Sequence, residues 1–404
     1  MENRQLVIIG AGPAGLTAAI YARRAGVDVL LLEYGLSGGQ INSTSEIENY
    51  PGFKRASGLS LGQAFREHAE SFGAEFRDCS VNSAIFDVSS HGDKIIRTNQ
   101  GDISADALII ASGSTFSRVG CKGEQEFKGR GVSYCAVCDG VFYEGAPVAV
   151  IGGGNSAVEE ADYLTRFASK VYIIHRREEF RAERILIERV LSNPKIEPVL
   201  GYVVDEIAGE NMAERVVARN LKSGDVRTIP VEGIFVFVGI KPNVDFLKDD
   251  KNIRRAGPGW IVTDEKMETS VEGVFAAGDV RDKFLRQVVT AAGDGAVAAM
   301  AAYEYLSNQY YLKDTLFTPK RAYAFFMSSI NPAHLALASE LEAWQKTANI
   351  SIVVVDVHRN LRIKDKLGIN ELPVMVEMAS GEKHRECIVS SIGDIRDFIT
   401  IKSC

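Results

Sequence analysis

The residues best suited to chemistry are two cysteines, Cys135 and Cys138, separated by two residues. Two thiols at this spacing can close a small disulfide ring, and such a motif lowers the pKa of one thiol. A zinc site normally uses about four ligands, and the sequence has neither a second Cys-x-x-Cys pair nor a closely spaced pair of histidines. We therefore expect a redox-active dithiol and no metal site, with a buried structural pair as the alternative. Asp139 is a candidate proton donor or acceptor for thiol exchange, although an aspartate before Gly140 is also typical of a surface turn.

The other cysteines and the composition indicate the cellular compartment of the protein and argue against some classes of partner. Six cysteines in 404 residues do not make a disulfide framework, and close pairs in a reducing cytosol are more often catalytic or metal-binding. No apolar run reaches the roughly 18 residues that span a bilayer, and we see no secretory signal, so we expect a cytoplasmic protein without a membrane role. The net charge of −7 argues against a general nucleic-acid partner. Cys79 and Cys121 are interpreted as inert small residues, and Cys387 and Cys404 either as spare surface thiols or as a mobile redox pair.

A glycine motif near the N-terminus predicts a nucleotide-binding loop. A buried-strand pattern at residues 6–9 leads into Gly10-Ala-Gly-Pro-Ala-Gly15, a helical stretch at 16–25 and a second strand that ends at Glu33. This is the order that a dinucleotide-binding βαβ unit requires. The first glycine makes the tight turn, Gly12 lets a pyrophosphate approach the backbone, and the third glycine lets the helix pack on the strand. Glu33 can accept hydrogen bonds from ribose hydroxyls and would repel a 2′-phosphate.

The same pattern recurs in the middle of the chain. A strand at residues 148–151 leads into Gly152-Gly-Gly-Asn-Ser-Ala157, a helix at 158–167 and a strand that ends at His175. His175 stands 23 residues after the first glycine of its loop, as Glu33 does in the first copy. Donors and positive charge for a phosphate dianion are offered by His175, Arg176, Arg177 and Arg181. The first loop therefore suits a cofactor with a free ribose and the second suits NADP(H), unless the arginine cluster is only a solvated helix face.

The order of these units indicates a discontinuous first domain. Two further strands are predicted outside the βαβ patterns. One lies at residues 107–111, and the other ends in Gly278-Asp279 and precedes an alanine-rich helix. We interpret both as parts of the first nucleotide-binding unit. We expect an α/β fold with two Rossmann-like nucleotide-binding domains, the second inserted in the first, plus a small thioredoxin-like α/β domain. Connections should fall near residues 113–119 and 239–244, which are rich in turn formers. Two glycine-rich turns in an unrelated α/β protein are the alternative.

Several motifs occur together in the order of a known family. They are the first glycine loop, Gly38-Gly39-Gln40 with Glu48-Asn49-Tyr50-Pro51-Gly52, Cys-Ala-Val-Cys-Asp-Gly, the second glycine loop, His175-Arg-Arg-x-x-x-Arg181, and Gly278-Asp279 with Arg286-Gln287. Residues 1 to about 312 closely resemble the low-molecular-weight thioredoxin reductases. Asn155 stands where an aspartate is common in that family and Val137 where a threonine is common. Neither difference removes a chemical group that the mechanism needs.

The resemblance implies a homodimeric flavoprotein that passes electrons from NADPH through FAD to the cysteine pair, and then to the disulfide of thioredoxin or a thioredoxin-like protein. In that family the second cysteine, here Cys138, lies next to the flavin and forms the charge-transfer thiolate. Cys135 exchanges with the substrate disulfide, and Asp139 acts as the acid. The family also rotates its NADPH domain, which would make the two connections hinges.

The resemblance also implies domain boundaries and binding residues. The FAD domain would comprise residues 1–113 and 243–312, and the NADPH domain, which carries the redox pair, residues 114–242. The FAD-binding residues would be Gly10, Gly12, Pro13, Ala14, Gly15, Glu33, Gly39, Gln40, Asn49, Ala111, Gly278, Asp279, Arg286, Gln287 and Val288. The NADPH-binding residues would be Gly152, Gly154, Asn155, Ser156, Ala157, His175, Arg176, Arg177 and Arg181.

Residues 319–404 form a separate, nearly neutral unit in the sequence. Its predicted order is strand–helix–strand–helix–strand with a closing helix, which resembles a thioredoxin fold without its first strand and helix. Pro373 stands where that fold has its cis-proline, and Ile330-Asn-Pro-Ala333 stands in place of Cys-Gly-Pro-Cys, so this site has no thiols. An unrelated α/β cap is the alternative. The unit is expected to be a non-catalytic docking or assembly module, or to redirect the enzyme to a glutaredoxin-like or peroxiredoxin-like partner; a donor other than NADPH also stays open.

Overall fold

The N-terminal part of the chain builds a sheet whose centre is parallel. The computed structural model describes residues 1–44, 46–86, 94–358 and 360–400. The strand order is β3-β2-β1-β6-β5-β4, and a strand from much later in the chain, β19 (Val274–Ala276), lies beside β6. Pro13 opens α1 at its first turn, where a missing N–H costs nothing. The elements are β1 (Glu2–Ile9), α1 (Pro13–Arg24), β2 (Val29–Glu33), α2 (Gly58–Ser71), β3 (Glu75–Asp78), β4 (Val81–Phe86), β5 (Lys94–Thr98), β6 (Gly101–Ile110) and β7 (Ser114–Phe116).

The middle of the chain builds a second, parallel sheet and a small antiparallel one. The parallel sheet has the order β11-β10-β9-β15-β8, and β12, β13 and β14 form the antiparallel sheet. Both glycine loops therefore connect the central strand of a parallel sheet to a helix. The elements are β8 (Val132–Ser133), α3 (Ala136–Asp139), β9 (Pro147–Gly152), α4 (Asn155–Leu164), β10 (Lys170–His175), α5 (Arg184–Ser192), β11 (Ile196–Leu200), β12 (Tyr202–Ala208), β13 (Arg215–Asn220), β14 (Val226–Pro230), β15 (Gly233–Phe237) and β16 (Ile240–Pro242).

The two connections between these sheets run side by side. Strands β7 and β16 pair antiparallel, with Ser114 opposite Pro242. At the end of the pair, the Ser112 hydroxyl donates to the Asn243 carbonyl at 2.7 Å, and the Asn243 amide donates back to the Ser112 carbonyl at 2.9 Å. The chain thus leaves and re-enters the first sheet through one narrow two-stranded link.

A long helix, α6, returns the chain to the first sheet. It packs along α1, and Gly295 makes this approach close, because a Cβ there would lie 2.1 Å from the Ala14 carbonyl oxygen. The alanine-rich face of α6 is buried in the same apolar cluster as α1. The elements of this segment are β17 (Arg255–Ala256), β18 (Trp260–Ile261), β19 (Val274–Ala276) and α6 (Val288–Leu312).

The C-terminal part forms its own mixed sheet, in the order β21-β20-β22-β23. Strands β20 and β21 are parallel and the other neighbours are antiparallel. Helices α7 and α9 cover one face, and α8 with the end of α6 covers the other. The Leu372–Pro373 peptide bond is cis. The elements are β20 (Arg321–Met327), α7 (Pro332–Ala348), β21 (Val353–Asp356), α8 (Leu361–Lys366), β22 (Val374–Ala379), β23 (Glu382–Ile388) and α9 (Ile392–Thr400).

The predicted α/β class with parallel sheets is confirmed, and several element boundaries differ from the prediction. Helices α1 and α4 each begin three residues earlier than predicted, because the last part of each glycine loop already forms the first helical turn. The antiparallel strands β12–β14 and the edge strand β23 were not predicted. Within the described ranges, no helix is long and apolar enough to cross a membrane.

The α1–α6 contact generates the first prediction. Gly295→Ala should lower the melting temperature of the holoprotein, because its Cβ meets backbone rather than a flexible side chain; overpacking of this kind costs about 1–3 kcal/mol. Gly293→Ala in the same helix is the matched control, since nothing lies within 4 Å of its Cβ position. That control should be neutral or stabilising by up to about 1 kcal/mol. Equal melting temperatures for the two variants would show that the helices do not pack this closely.

Candidate active site

The two cysteines form a disulfide at the start of the short helix α3. The Cα atoms of Cys135 and Cys138 are 5.3 Å apart. Cys135 is the N-cap residue, and its Sγ accepts a hydrogen bond from the Cys138 backbone N–H at 3.2 Å. Both side chains are partly exposed, and Val137 between them is exposed. The redox pair predicted from the spacing is therefore a disulfide that has access to its surroundings.

Asp139 lies behind the disulfide in a largely buried position. The Ser133 hydroxyl donates to its carboxylate at 2.5 Å, and the same hydroxyl oxygen accepts the Cys135 N–H at 3.1 Å. Burial raises the pKa of Asp139 above the usual carboxyl range, and the Ser133 hydrogen bond opposes this in part. This carboxyl group has a raised pKa and is connected to Cys135 through the Ser133 hydroxyl, so it is suited to donate a proton during thiol exchange.

A cavity of about 610 Å³ opens between the first glycine loop, α6 and helix α3, which carries the disulfide. It joins elements of both large sheets, so its walls come from residues far apart in the sequence. Gly15 and Gly278 are predicted binding residues that lie beside the cavity rather than in its wall. The predicted residues that line it are Gly10, Gly12, Pro13, Ala14, Glu33, Gly39, Gln40, Asn49, Ala111, Asp279, Arg286, Gln287 and Val288, together with Cys135, Cys138 and Asp139.

The first glycine loop has the tight turn predicted at Gly10 and the close helix packing predicted at Gly15, while the approach of a pyrophosphate to Gly12 stays a prediction. Gly10 has φ of +104°, and a Cβ there would lie 2.5 Å from the Ala111 carbonyl oxygen. A Cβ on Gly15 would lie 1.9 Å from the Gly10 oxygen, whereas the position over Gly12 is open. The open face of Gly12 and the N-terminus of α1 thus present backbone N–H groups to the cavity. The Glu33 carboxylate accepts the Ala11 N–H at 2.6 Å, which fixes it at the cavity edge.

Gln287, the N-cap residue of α6, connects the first sheet to the disulfide. Its Nε2 donates towards Cys135 Sγ and Cys138 Sγ, at 3.8 Å from each. Its Oε1 accepts the Asn49 side-chain amide at 3.1 Å. Because Asn49 occupies the oxygen, the N–H group of Gln287 is directed at the sulfur atoms. A thiolate formed here would have a hydrogen-bond donor waiting for it.

The Gly278-Asp279 turn and the nearby Arg286 carry polar atoms that no atom of the described residues satisfies. Asp279 Oδ1 and Arg286 Nε are buried without a hydrogen-bond partner among the described residues. Burial raises the pKa of the Asp279 carboxyl and lowers the pKa of Arg286, whose guanidinium lies 3.9 Å from the centre of the Trp260 ring. Buried polar groups are costly unless they are hydrogen-bonded. These two point to a polar ligand in the cavity.

Asp294 holds this turn in place from within α6. Its carboxylate accepts the Gly278 N–H at 3.0 Å and pairs with Arg281 at 2.9 Å and Lys283 at 2.8 Å. All three side chains are only 10–12% exposed, so these ion pairs are screened little by water. Asp294 was not predicted from the sequence, although an acid in the alanine- and glycine-rich first half of α6 is a signal that could have indicated it. Ser133 and Trp260 were also missed, and no spacing in the sequence marks them.

The second glycine loop lies outside the wall of that cavity. Gly152 packs against the Phe237 carbonyl oxygen, 2.5 Å from where a Cβ would be, while the position over Gly154 is open. Asn155 opens α4, and its side chain exchanges hydrogen bonds with Glu183 at 2.9 and 3.2 Å. Ser156 is exposed, and Ala157 is buried against the loop. The N-terminus of α4 is therefore accessible to an anion, as the N-terminus of α1 is in the first unit.

The cationic cluster is made by arginines and not by the histidine. His175 is buried against Gly153, and burial together with Arg181, Arg177 and Arg176 lowers its pKa. The lowered pKa disfavours the positive charge that the sequence suggested, and the role of His175 in binding a coenzyme stays a prediction. The three arginines are exposed and form no ion pair with a carboxylate of the described chain. The Arg181 backbone N–H donates to the Gly153 carbonyl at 2.6 Å, which brings this arginine to the loop.

The other cysteines do not join the disulfide. Cys79 is buried, and burial raises the pKa of its thiol. Burial and the nearby Glu124 raise the pKa of Cys121 to about 11. Cys387 is exposed on the edge strand β23. The predicted thiol Cys404 lies outside the described residues, so its pairing with Cys387 stays a prediction.

Asp139 generates the second prediction. Its pKa is raised in the folded state, so at pH 7 its ionised form costs free energy that the unfolded chain in water does not incur. Asp139→Asn should therefore raise the melting temperature at pH 7, by about 2 °C or more. The gain should vanish as the pH falls below about 3.9, where the carboxyl is protonated in both states. Melting curves across this range, with the exposed Asp249→Asn as control, measure it; an equal or lower melting temperature at pH 7 would contradict the burial cost.

Comparison with known proteins agrees with this geometry. The family model for pyridine nucleotide-disulphide oxidoreductases matches residues 4–295. The thioredoxin reductase of Bacillus subtilis is 44% identical over 317 residues, which is 78% of this chain and 98% of that protein. The thioredoxin reductase from Streptococcus pyogenes, known from a crystal structure, is 42% identical in sequence with a TM-score of 0.72. The match covers 76% of this chain and 99% of that protein chain. The thioredoxin reductase from Giardia duodenalis also has a TM-score of 0.72, at 39% identity, over 76% of this chain and all of its own.

These matches cover the two large sheets, the disulfide and both glycine loops. The residues matched by the family model, 4–295, include every residue that lines the cavity. The disulfide in its wall is the group on which a disulfide oxidoreductase depends. The chain is therefore an oxidoreductase that belongs to the thioredoxin reductase family.

Proposed function

We propose that this protein uses NADPH to reduce the disulfide of thioredoxin or of a thioredoxin-like protein, through FAD and the Cys135–Cys138 pair. The observation that carries the proposal is the disulfide in the wall of the same cavity as the first glycine loop. Electrons that enter a cofactor in this cavity have a two-electron acceptor beside it. The partial exposure of the cysteines gives a partner protein access to the same pair.

The cavity has the groups that FAD needs. The N–H groups at the start of α1 suit the pyrophosphate, and Glu33 at the end of β2 suits the ribose hydroxyls. The unsatisfied Asp279 Oδ1 and Arg286 Nε provide an acceptor and a donor for further polar groups of the cofactor. Phe116 and Tyr134 line the same space with aromatic surface. These residues together suit a large group with an apolar ring and a phosphate-bearing tail.

The chain's own residues carry the thiol chemistry. When bound, FAD would supply two-electron chemistry between nicotinamide and disulfide. Cys135 and Cys138 take up two electrons and two protons as their S–S bond breaks, and Cys135 then attacks the disulfide of the partner. Cys138 resolves the resulting mixed disulfide, which leaves the partner as a dithiol and restores the S–S bond. Gln287 stabilises the thiolate by hydrogen bonding, and Asp139 supplies the proton to the leaving sulfur.

The arginine cluster supports NADPH as the donor. Arg176, Arg177 and Arg181 stand at the end of β10 and just after it, which is where the coenzyme ribose lies in a unit of this type. Three exposed guanidinium groups without carboxylate partners in the described chain suit a 2′-phosphate.

We assign residues 114–242 to the NADPH domain, and residues 1–113 and 243–312 to the FAD domain. Rotation about β7 and β16 would bring the second glycine loop to the flavin, and crystal structures with and without NADPH test it.

A homodimer is supported by an unpartnered apolar stripe on α6. Val289, Val297, Met300 and Tyr303 are exposed at helical spacing on the face that does not pack on α1. Such a stripe is unusual on a monomer and suits the same face of a second copy. Sedimentation equilibrium of the full chain measures the assembly, and a monomer mass at micromolar concentration would contradict it.

The C-terminal unit is proposed to be a thioredoxin-like module that does not carry electrons. Its parallel β20–β21 pair with antiparallel β22 and β23 supports this fold, and Ile330-Asn-Pro-Ala333 has no thiol at the start of α7. Helix α6 has 25 residues, about 37 Å, and its two ends meet the disulfide and this unit. That separation favours docking or assembly over intramolecular transfer. Cross-linking mass spectrometry of the full chain with thioredoxin tests this role, which fails if the unit contacts neither the partner nor a second copy.

The third prediction tests the roles of the two cysteines. Cys138→Ser should abolish NADPH-dependent reduction of thioredoxin, because the mixed disulfide cannot be resolved. The same variant should trap thioredoxin as a covalent adduct at Cys135, which mass spectrometry of a tryptic digest locates. Cys387→Ser is the matched control and should keep full activity. Retention of disulfide reduction by Cys138→Ser would disprove the proposed function.

The fourth prediction tests the donor. Arg176→Ala combined with Arg181→Ala should raise the KM for NADPH by about tenfold or more and leave the KM for NADH unchanged, because charge-assisted hydrogen bonds to the 2′-phosphate are lost. Arg184→Ala is the control: this arginine is more than nine-tenths exposed and pairs with Glu188. Stopped-flow reduction of the bound flavin by each donor provides the rates. A wild-type protein that prefers NADH would contradict the assignment.

A further inference from the structure

A buried carboxylate, Glu124, lies between the link from the first sheet and the redox pair. It is 1% exposed. Its Oε1 accepts the Val119 N–H at 3.0 Å and the Tyr134 hydroxyl at 2.8 Å, and its Oε2 accepts the Gly120 N–H at 2.7 Å. The chemistry described above uses none of these contacts.

The position of Glu124 is costly unless its partners are kept. A carboxylate removed from water needs hydrogen bonds or a cation to compensate for its lost hydration. No Lys or Arg of the described chain pairs with Glu124, so the three hydrogen bonds provide the compensation. A residue held this way resists displacement, and it fixes the groups that donate to it.

Those groups belong to two segments with different tasks. Val119 and Gly120 follow β7, one of the two strands that link the sheets. Tyr134 directly precedes Cys135, and its ring stacks on Phe116 of β7 with a centroid distance of 5.3 Å. Tyr134 is therefore held twice to the link, through its ring by Phe116 and through its hydroxyl by Glu124.

We propose that Glu124 is a positioning residue for the redox pair, which acts through the Tyr134 hydroxyl to hold Cys135 at the cavity wall. The inference rests on the proposed function only in that it takes Cys135 and Cys138 as the redox-active pair. The hydrogen bond restrains the backbone just before Cys135 in both redox states. The restraint lowers the conformational entropy of the dithiol more than that of the disulfide, because the separated sulfur atoms would otherwise gain conformational freedom.

The consequence is a shift in the disulfide–dithiol equilibrium when the hydroxyl is removed. In this equilibrium the Cys135–Cys138 bond breaks and two thiols form, with two electrons and two protons supplied by dithiothreitol, which closes its own disulfide. Tyr134→Phe keeps the ring on Phe116 and removes only the bond to Glu124. The dithiol should then become more favoured, by about threefold or more in the equilibrium constant.

The experiment compares Tyr134→Phe, Glu124→Ala and the double variant with the wild type as holoenzymes, without NADPH. Equilibration in dithiothreitol redox buffers, acid quenching, alkylation and mass spectrometry give the fraction of the dithiol. Both single variants should shift towards the dithiol, and the double variant should shift no further than the larger single one, because one shared bond is lost. Tyr202→Phe is the control, since Tyr202 packs against the same apolar cluster without a hydroxyl contact to Glu124; it should match the wild type.

An equilibrium constant for Tyr134→Phe equal to that of the wild type would overturn the positioning role, and so would an equal shift in Tyr202→Phe. If Glu124→Ala fails to fold, the comparison of Tyr134→Phe with Tyr202→Phe still decides. The proposed function fails separately: a wild-type enzyme that does not reduce thioredoxin with NADPH refutes it, whatever the dithiothreitol equilibrium of the variants.

Discussion

The close packing of α6 on α1 is the contact on which the rest of the site depends. A glycine at position 295 lets the two helices approach so closely that the Ala14 carbonyl occupies the space of a side chain. Helix α1 brings its N-terminus to the cavity for a phosphate, and α6 brings Gln287 to the disulfide. About two turns further along α6, Asp294 holds the Gly278-Asp279 turn against the same cavity. A change in the spacing of these helices would move three parts of the site at once.

The cavity explains why two sheets from different parts of the chain are needed. The first sheet supplies backbone donors, Glu33 and the unsatisfied Asp279, which suit a cofactor that stays in place. The second sheet supplies the disulfide and, on another face, a glycine loop with exposed arginines. The chain passes between the two sheets through β7 and β16, so holding the redox pair to this narrow link helps to fix its place beside the first sheet. Glu124, with three hydrogen bonds and almost no exposure, is the residue that does so.

The parts of the site that depend on local sequence were predictable, and those that depend on distant contacts were not. Glycine spacing, strand patterns and the Cys-x-x-Cys motif act within a few residues of one another, and they predicted both loops, Glu33 and the cysteine pair. Other predicted residues of the cavity wall, such as Gln40 and Gln287, were implied by the family resemblance. Asp294 and Glu124 work through partners that periodicity does not reveal, such as the Gly278 N–H and the Tyr134 hydroxyl. His175 was expected to contribute charge, but its burial is a tertiary property that no neighbouring residue signals. The edge strand β23 has an exposed pattern that resembles a loop.

The central claim is that electrons from NADPH reach Cys135 and Cys138 and no other cysteine of the described chain. Differential alkylation measures this directly. The anaerobic holoenzyme is treated with NADPH and quenched, and its free thiols are alkylated with one reagent. The remaining disulfides are then reduced, and the thiols that they release are alkylated with an isotopically different reagent. We expect NADPH to create two new thiols, at Cys135 and Cys138, while the labelling of Cys79, Cys121 and Cys387 does not change. A flavin reduced by NADPH without new thiols at this pair would contradict it.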